Sequence, residues 1–416
     1  MGFSMSVFVA DTSALKNRAF AFAFVSSPYI ATVWIGGPMA QALVDGPGFR
    51  WGFGIFAIIN LIATVPLFVL FTVNYRKAKK AGLMPVREQT RTTMESIKYY
   101  LVEFDLAGIL LLAGGLSLFL LPFNLYSYQP DGWKSTKIIC MVVFGVVMLI
   151  LFGLYEKFLA PKSFIPFELL LDRTVFGACI LAAVLFVEFY IWNSYFFSFL
   201  QVVNNLDITK TSYITNIYSI GSCFWALVVG IFIRWHGRFK GLALYFGVPL
   251  TILGVGLMIA FRQPDVNIGF IIMCQIFIAF SGGTLVICEQ IAVIAATSHQ
   301  YIAVVLAVES MFSSIGGAIG SSIAAAIWTG IFPDRLARYL PAEEQGNLTT
   351  IYGDITVQYG YPMGSPTRIA INQAYGDAQG YMIIAATAVL AIGVVAVACW
   401  RDIRVKDFKQ VKGLVF

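Results

Sequence analysis

Ten apolar runs, each close to the length of about 20 residues that a helix needs to cross a bilayer, follow one another along this chain. They cover Phe20–Leu43, Trp51–Val73, Phe104–Phe123, Ile138–Tyr155, Thr174–Leu200, Tyr213–Ile233, Gly241–Phe261, Ile268–Ile291, Ile302–Ile331 and Tyr381–Trp400. Hydrocarbon offers no partner to a bare amide or carbonyl. A lone segment in it must therefore satisfy its own backbone, and the helix is the form that does so. None of the ten runs contains Lys or Arg. Charged residues make up 12% of the chain, about half the share usual in a water-soluble domain. The fold class expected is an all-α polytopic membrane protein with the bilayer as its solvent.

The connections alternate in charge. One set holds Lys16 and Arg18; Arg76, Lys77, Lys79, Lys80, Arg87, Arg91 and Lys98; Lys157, Lys162 and Arg173; Arg234, Arg238 and Lys240; and Arg401, Arg404, Lys406, Lys409 and Lys412. That is 20 of the 28 basic residues, which places this set on the cytoplasmic side. The N-glycosylation sequon Asn347-Leu348-Thr349 then falls outside, in a polar loop expected over residues 332–380. The basic stretches are juxtamembrane and suit anionic lipid, so no nucleic-acid partner is expected. All six cysteines sit in apolar runs with no metal-ligand spacing, as small buried apolar residues would. No nucleophile–base pair, phosphate-cradling glycine loop or ligand cluster points to an enzyme, a cofactor or a metal. His236 and His299 have no companion residue nearby in sequence.

Four acids lie within the apolar runs: Asp105, Glu188, Glu289 and Glu309. Asp105 is the second residue of its run and belongs to the interface. A carboxylate at membrane depth is costly and, with no basic partner in the runs, is expected to take a proton or face a wet cavity. Either property suits a proton carrier. Glu188 lies about 21 Å along its helix from Thr174, past the midplane, and Glu309 about 10 Å from Ile302. Glu289 is at the cytoplasmic end of its helix, where it can also snorkel. Trp192 and Tyr195 follow Glu188 at i+4 and i+7, a shared aromatic face that either lines cargo or sits at the outer interface. Gly316 and Gly320 form a GxxxG seam in a helix rich in small residues.

The run Ser26–Leu43 (SSPYIATVWIGGPMAQAL), with Gly36, Gly37 and Pro38, resembles the fifth helix of proton-antiporter-like major facilitators. Residues 280–341 and the string IYGDITVQYGYPMGSPTRIAINQAYG over Ile351–Gly376 are similar to the fourteen-helix fungal siderophore–iron transporters of that superfamily. The resemblance implies a major facilitator fold whose first three to four helices are missing, because the apolar start MGFSMSVFVA resembles the end of a fourth helix. It divides the chain into a bundle remnant (1–73), a basic cytoplasmic loop (74–103), two linker helices (104–155), a C-terminal bundle (174–400) and a cytoplasmic tail (401–416).

The activity implied is proton-coupled import of ferric siderophores at the plasma membrane, or at an endosomal vesicle membrane. Ferric siderophore is the cargo and protons the partner. An antiporter exporting drugs or glutathione is the alternative, and a truncated, non-transporting fragment is a third reading. The matching family loop handles the iron complex, which carries cargo contact to Tyr352, Tyr359, Tyr361, Tyr375 and Arg368 here. Gly353, Gly360, Pro362, Gly364 and Pro366 supply turn positions, so the loop is expected to be a folded lid.

Overall fold

The computed structural model describes residues 2–82, 92–161 and 167–406. Arg87, Arg91, Lys162, Lys409 and Lys412, which contribute to the expected orientation, lie outside the described residues. Among the described residues, ten helical segments are long and apolar enough to cross a membrane. With the shorter helices the order is α1 (Gly2–Thr12), α2 (Leu15–Asp45), α3 (Phe49–Lys80), α4 (Thr93–Glu103), α5 (Leu106–Tyr128), α6 (Thr136–Phe158) and α7 (Arg173–Val202). Then follow α8 (Ile208–His236), α9 (Lys240–Phe261), α10 (Ile268–Ala295), α11 (His299–Tyr339), α12 (Leu348–Gly353), α13 (Ile355–Gly360) and α14 (Pro366–Ala398).

Each expected run overlaps one of these segments. The polar connection over residues 332–380 is largely helical: α11 continues to Tyr339 and α14 begins at Pro366. The physical reason is that a helix need not end where its apolar stretch ends. Ser365 caps α14 by accepting from Arg368 N at 3.3 Å. Pro366 opens it at a position where a missing N–H costs nothing. What connects the two helices is a 3-10 turn, Ala342–Asn347, followed by α12 and α13.

Helices α7, α8, α9, α10, α11 and α14 form the packed bundle, with α1 and α2 laid against it. Its seams are made by small residues. A Cβ on Gly320 would lie 2.5 Å from Val187 O, and one on Gly316 would meet Ala183 O more closely still. That lets α11 meet the backbone of α7 directly. Gly37 plays the same part between α2 and α8, where a Cβ would be 3.0 Å from Ser212 Cβ; Gly36 faces open space. Helix α3 has no buried residue, and its rings, such as Phe53 and Phe71, point outward as a lipid-facing helix requires. Asp105 caps α5 from a left-handed backbone (φ +46°), accepting from Gly108 N at 3.2 Å and from the Tyr155 hydroxyl at 3.0 Å.

Three of the segments expected on the cytoplasmic side meet near the end of α14. Arg401 pairs with Asp172 at 3.1 Å, Arg238 with Asp402 at 3.6 Å, and Lys240 Nζ donates to Ala398 O at 2.9 Å. The cysteines divide in a way the sequence does not announce. Cys179, Cys274 and Cys288 are buried as expected, Cys223 is half-buried, and Cys140 and Cys399 are exposed because apolar runs in this fold also have outward faces.

Candidate functional site

Glu289 of α10 and Glu309 of α11 line one cavity inside the bundle. Both are nearly inaccessible, at 1% and 7% exposure. The cavity has a volume of about 300 Å3 and is lined also by Ser6, Phe186, Gln290 and Ser310. A smaller cavity of about 150 Å3 shares Ser6 and Gln290 and extends to Tyr218 and Ser222. The short helix α1 closes this space, and Ser6 faces both cavities.

Glu188 sits apart from the pair, buried at 3% exposure, with Oε1 lacking a hydrogen-bond partner. Tyr218 packs against Trp192 and lines the smaller cavity. The aromatic face expected beside Glu188 is different in the fold. Helix α7 is interrupted between Asn193 and Phe196, which breaks the i+7 relation of Tyr195 to Glu188. Arg262 Nη1 takes the Trp192 carbonyl at 2.8 Å, and Gln379 Nε2 takes that of Tyr195 at 3.1 Å. Trp192 is fully buried against Phe189 and Phe196. Tyr195 stacks on Trp328 with ring centroids 4.1 Å apart. Neither ring lines the carboxyl cavity.

The loop residues also part company. Tyr359 is exposed and lines an outer cavity of about 300 Å3 with Gln41, Gln201 and Asp207. Tyr352 is half-buried beside Phe332, and the Tyr361 hydroxyl donates to Glu344 at 3.0 Å. Tyr375 is sealed, its hydroxyl donating to Gln358 Oε1 at 2.8 Å. Arg368 is fully buried and spends its guanidinium on the carbonyls of Val202, Gln358 and Tyr361. Arg368 and Tyr375 thus hold the connection between α11 and α14 together from inside. Asn347 is exposed and donates to Glu344 at 2.8 Å.

The profile of the Major Facilitator Superfamily matches residues 3–321 of the 416. The chain belongs to that superfamily. Within it, the sequence is 69% identical over 415 residues to MFS siderochrome iron transporter 1 of Ajellomyces capsulatus, covering 100% of this chain and 71% of that protein. Siderochrome iron transporter 2 of Aspergillus fumigatus is 47% identical, over 99% of this chain and 68% of its own length. Siderophore iron transporter mirB of Emericella nidulans is 44% identical, over 100% and 69%. At this similarity the facilitator belongs to the siderochrome-transporter branch.

Three residues of this facilitator's inner site escaped the sequence reading: Ser6, Gln290 and Tyr218. Nothing local marks them, since a serine, a glutamine and a tyrosine in apolar runs are ordinary. The usable signal was Gln290 directly after Glu289, two adjacent polar residues at membrane depth.

Proposed function

We propose that this facilitator imports ferric siderophores in symport with protons, with the Glu289–Glu309 pair as the principal proton carrier. What supports it is membership of the siderochrome branch together with two buried carboxyl groups on neighbouring helices, lining one cavity. With one proton between them the two carboxyls carry a single negative charge, and a second proton neutralises them. In a low-dielectric bundle that one charge is expensive to expose to apolar surroundings, so its loss favours a different helix arrangement. The Gly316–Gly320 seam against α7 is the surface on which such a rearrangement can slide. Glu188, buried on α7, is the second carrier. Tyr359 and the outer cavity receive the cargo, and α12 and α13 form the lid.

The basic end is cytoplasmic in this proposal, the lid is outside, and the membrane is the plasma membrane or that of an endosomal vesicle. The deciding experiment is uptake of labelled ferric siderophore, as a function of external pH, in cells lacking other siderophore uptake. Glu309→Gln and Glu289→Gln are expected to flatten the pH dependence while leaving surface expression intact. Uptake with wild-type pH dependence in both variants would remove the pair from the coupling mechanism. Counterflow of cargo outward along the proton gradient would reverse the direction.

A further inference from the structure

At the basic end, Lys16, Arg234, Trp235 and Lys406 line a cleft of about 510 Å3. They come from the start of α2, the end of α8 and the chain beyond α14, so the cleft is a product of tertiary structure. It lies outside the cavities of the proposed transport site. A Cβ on Gly230 would be 2.8 Å from Phe20 Cα, so α2 and α8 touch backbone to backbone here. Lys16 and Arg234 each sit about one turn further on, toward the cleft.

Lys406 is delivered by a strap. Gly237 ends α8 in the left-handed region (φ +77°), and its carbonyl accepts from Val405 N at 2.8 Å. Arg238 and Arg404 form an antiparallel bridge beside it. The Lys406 side chain then lies over Gly237, where a Cβ would be 3.0 Å from its Cγ, and its Nζ donates to Trp235 O.

The neighbouring carboxylates are already engaged: Asp402 by Arg238, Asp172 by Arg401 and Asp11 by His299. No ion pair among the described residues takes Lys16, Arg234 or Lys406. Three cations are thus held around one space with no ion-pair partner among the described residues. Trp235 is 69% exposed at the end of a membrane span, the level at which indole rings settle among headgroups.

We propose that this cleft binds the headgroup of an anionic phospholipid from the adjoining leaflet, its phosphate held by Lys16, Arg234 and Lys406 and its glycerol region resting on Trp235. Basic pockets between helices at the bilayer surface recognise headgroups by this chemistry. A lipid there joins α2, α8 and the C-terminal strap into one unit.

The test uses the purified full chain in nanodiscs of phosphatidylcholine with or without phosphatidylserine, read by thermal unfolding and by mass spectrometry of retained lipid. Phosphatidylserine is expected to raise the unfolding midpoint and to be retained in preference. Lys16→Ala, Arg234→Ala and Lys406→Ala should each weaken that retention about fivefold. Lys406→Arg should keep it, and so should Lys210→Ala at the opposite end. A wild type with no preference for phosphatidylserine, or three alanine variants that all retain the wild-type preference, overturns the proposal. Equal stabilisation by free inorganic phosphate would overturn it as well, by making the site one for a soluble anion.

Discussion

Arg368, in the first turn of α14, donates from Nε and Nη2 to the carbonyl of Val202 at 3.1 and 2.7 Å, across 166 residues of sequence. Its Nη1 reaches Gln358 O and Tyr361 O at 2.5 and 3.0 Å. One buried guanidinium therefore ties together the end of α7, the lid helix α13 and the last span. A planar fork with five donors can serve three carbonyls; a lysine ammonium has neither the reach nor the geometry.

Removing that fork should release the lid. In Arg368→Met three buried acceptors lose their partner, at about 1–3 kcal/mol each if water cannot replace it. Limited proteolysis is expected to cut within 354–361 far faster than in wild type, with Arg368→Lys intermediate. A lid as resistant in Arg368→Met as in wild type would show that α13 is held by its other contacts.

The tyrosines should separate by role. Tyr359→Ala is expected to raise the KM of siderophore uptake several-fold with little change in maximal rate, because Tyr359 faces the outer cavity. Tyr375→Phe loses only the hydroxyl bond to Gln358 and should leave KM near wild type while loosening the lid. The reverse pattern, KM rising for Tyr375→Phe and not for Tyr359→Ala, would place the cargo on the buried side of the lid.

The lid itself should not respond to the proton gradient. Asp354 caps α13 by accepting from the Thr356 hydroxyl at 2.6 Å and from its amide at 2.8 Å, which holds its carboxyl below the usual aspartate range. A depressed folded pKa adds stability that is present above the unfolded value near about 3.9 and is lost only as pH falls through the folded one. Hydrogen exchange across α13, corrected for intrinsic rates, should therefore be flat from about pH 7 to about pH 5. In Asp354→Ala it should be faster at both. Lid exchange that rises between those values in wild type would point to another titrating group.

Filling the seam should be costly. Gly320→Val drives side-chain atoms into the α7 backbone at Val187, an overpacking expected to cost about 1–3 kcal/mol and to lower the melting temperature in detergent. Gly36→Ala, in open space, is the matched control and should melt like wild type.

Orientation can be read directly. A cysteine at Gly346 should react with an impermeant maleimide on intact cells, and one at Lys406 only after permeabilisation. A glycan lost in Asn347→Gln would agree. Labelling in the opposite order would turn the molecule over.

Much of the candidate site was visible in the chain before any contact was known. Glu188, Glu289 and Glu309 stand out because an acid is costly in an apolar run, and the structure buries all three. That Glu289 and Glu309 line one cavity was not visible, because it depends on the rotation of α10 and α11 about their axes. The roles of Arg368 and Tyr375 were hidden for a related reason. Side chains in a polar loop look accessible in sequence, and only folding shows that they point inward.

The sequence by itself determined the ten spans, because each apolar run must close its own backbone hydrogen bonds in hydrocarbon, a demand local to the segment. The alternation of basic residues also sets the expectation of which segments share an end. Tertiary structure alone decided where α7 breaks, since the interruption at Ser194 and Tyr195 is held by Arg262 and Gln379 from distant helices. It decided likewise that Glu289 and Glu309 line one cavity and that Lys16, Arg234 and Lys406 surround one cleft. Such meetings depend on how helices rotate and approach one another, and that is a property of the packed bundle as a whole.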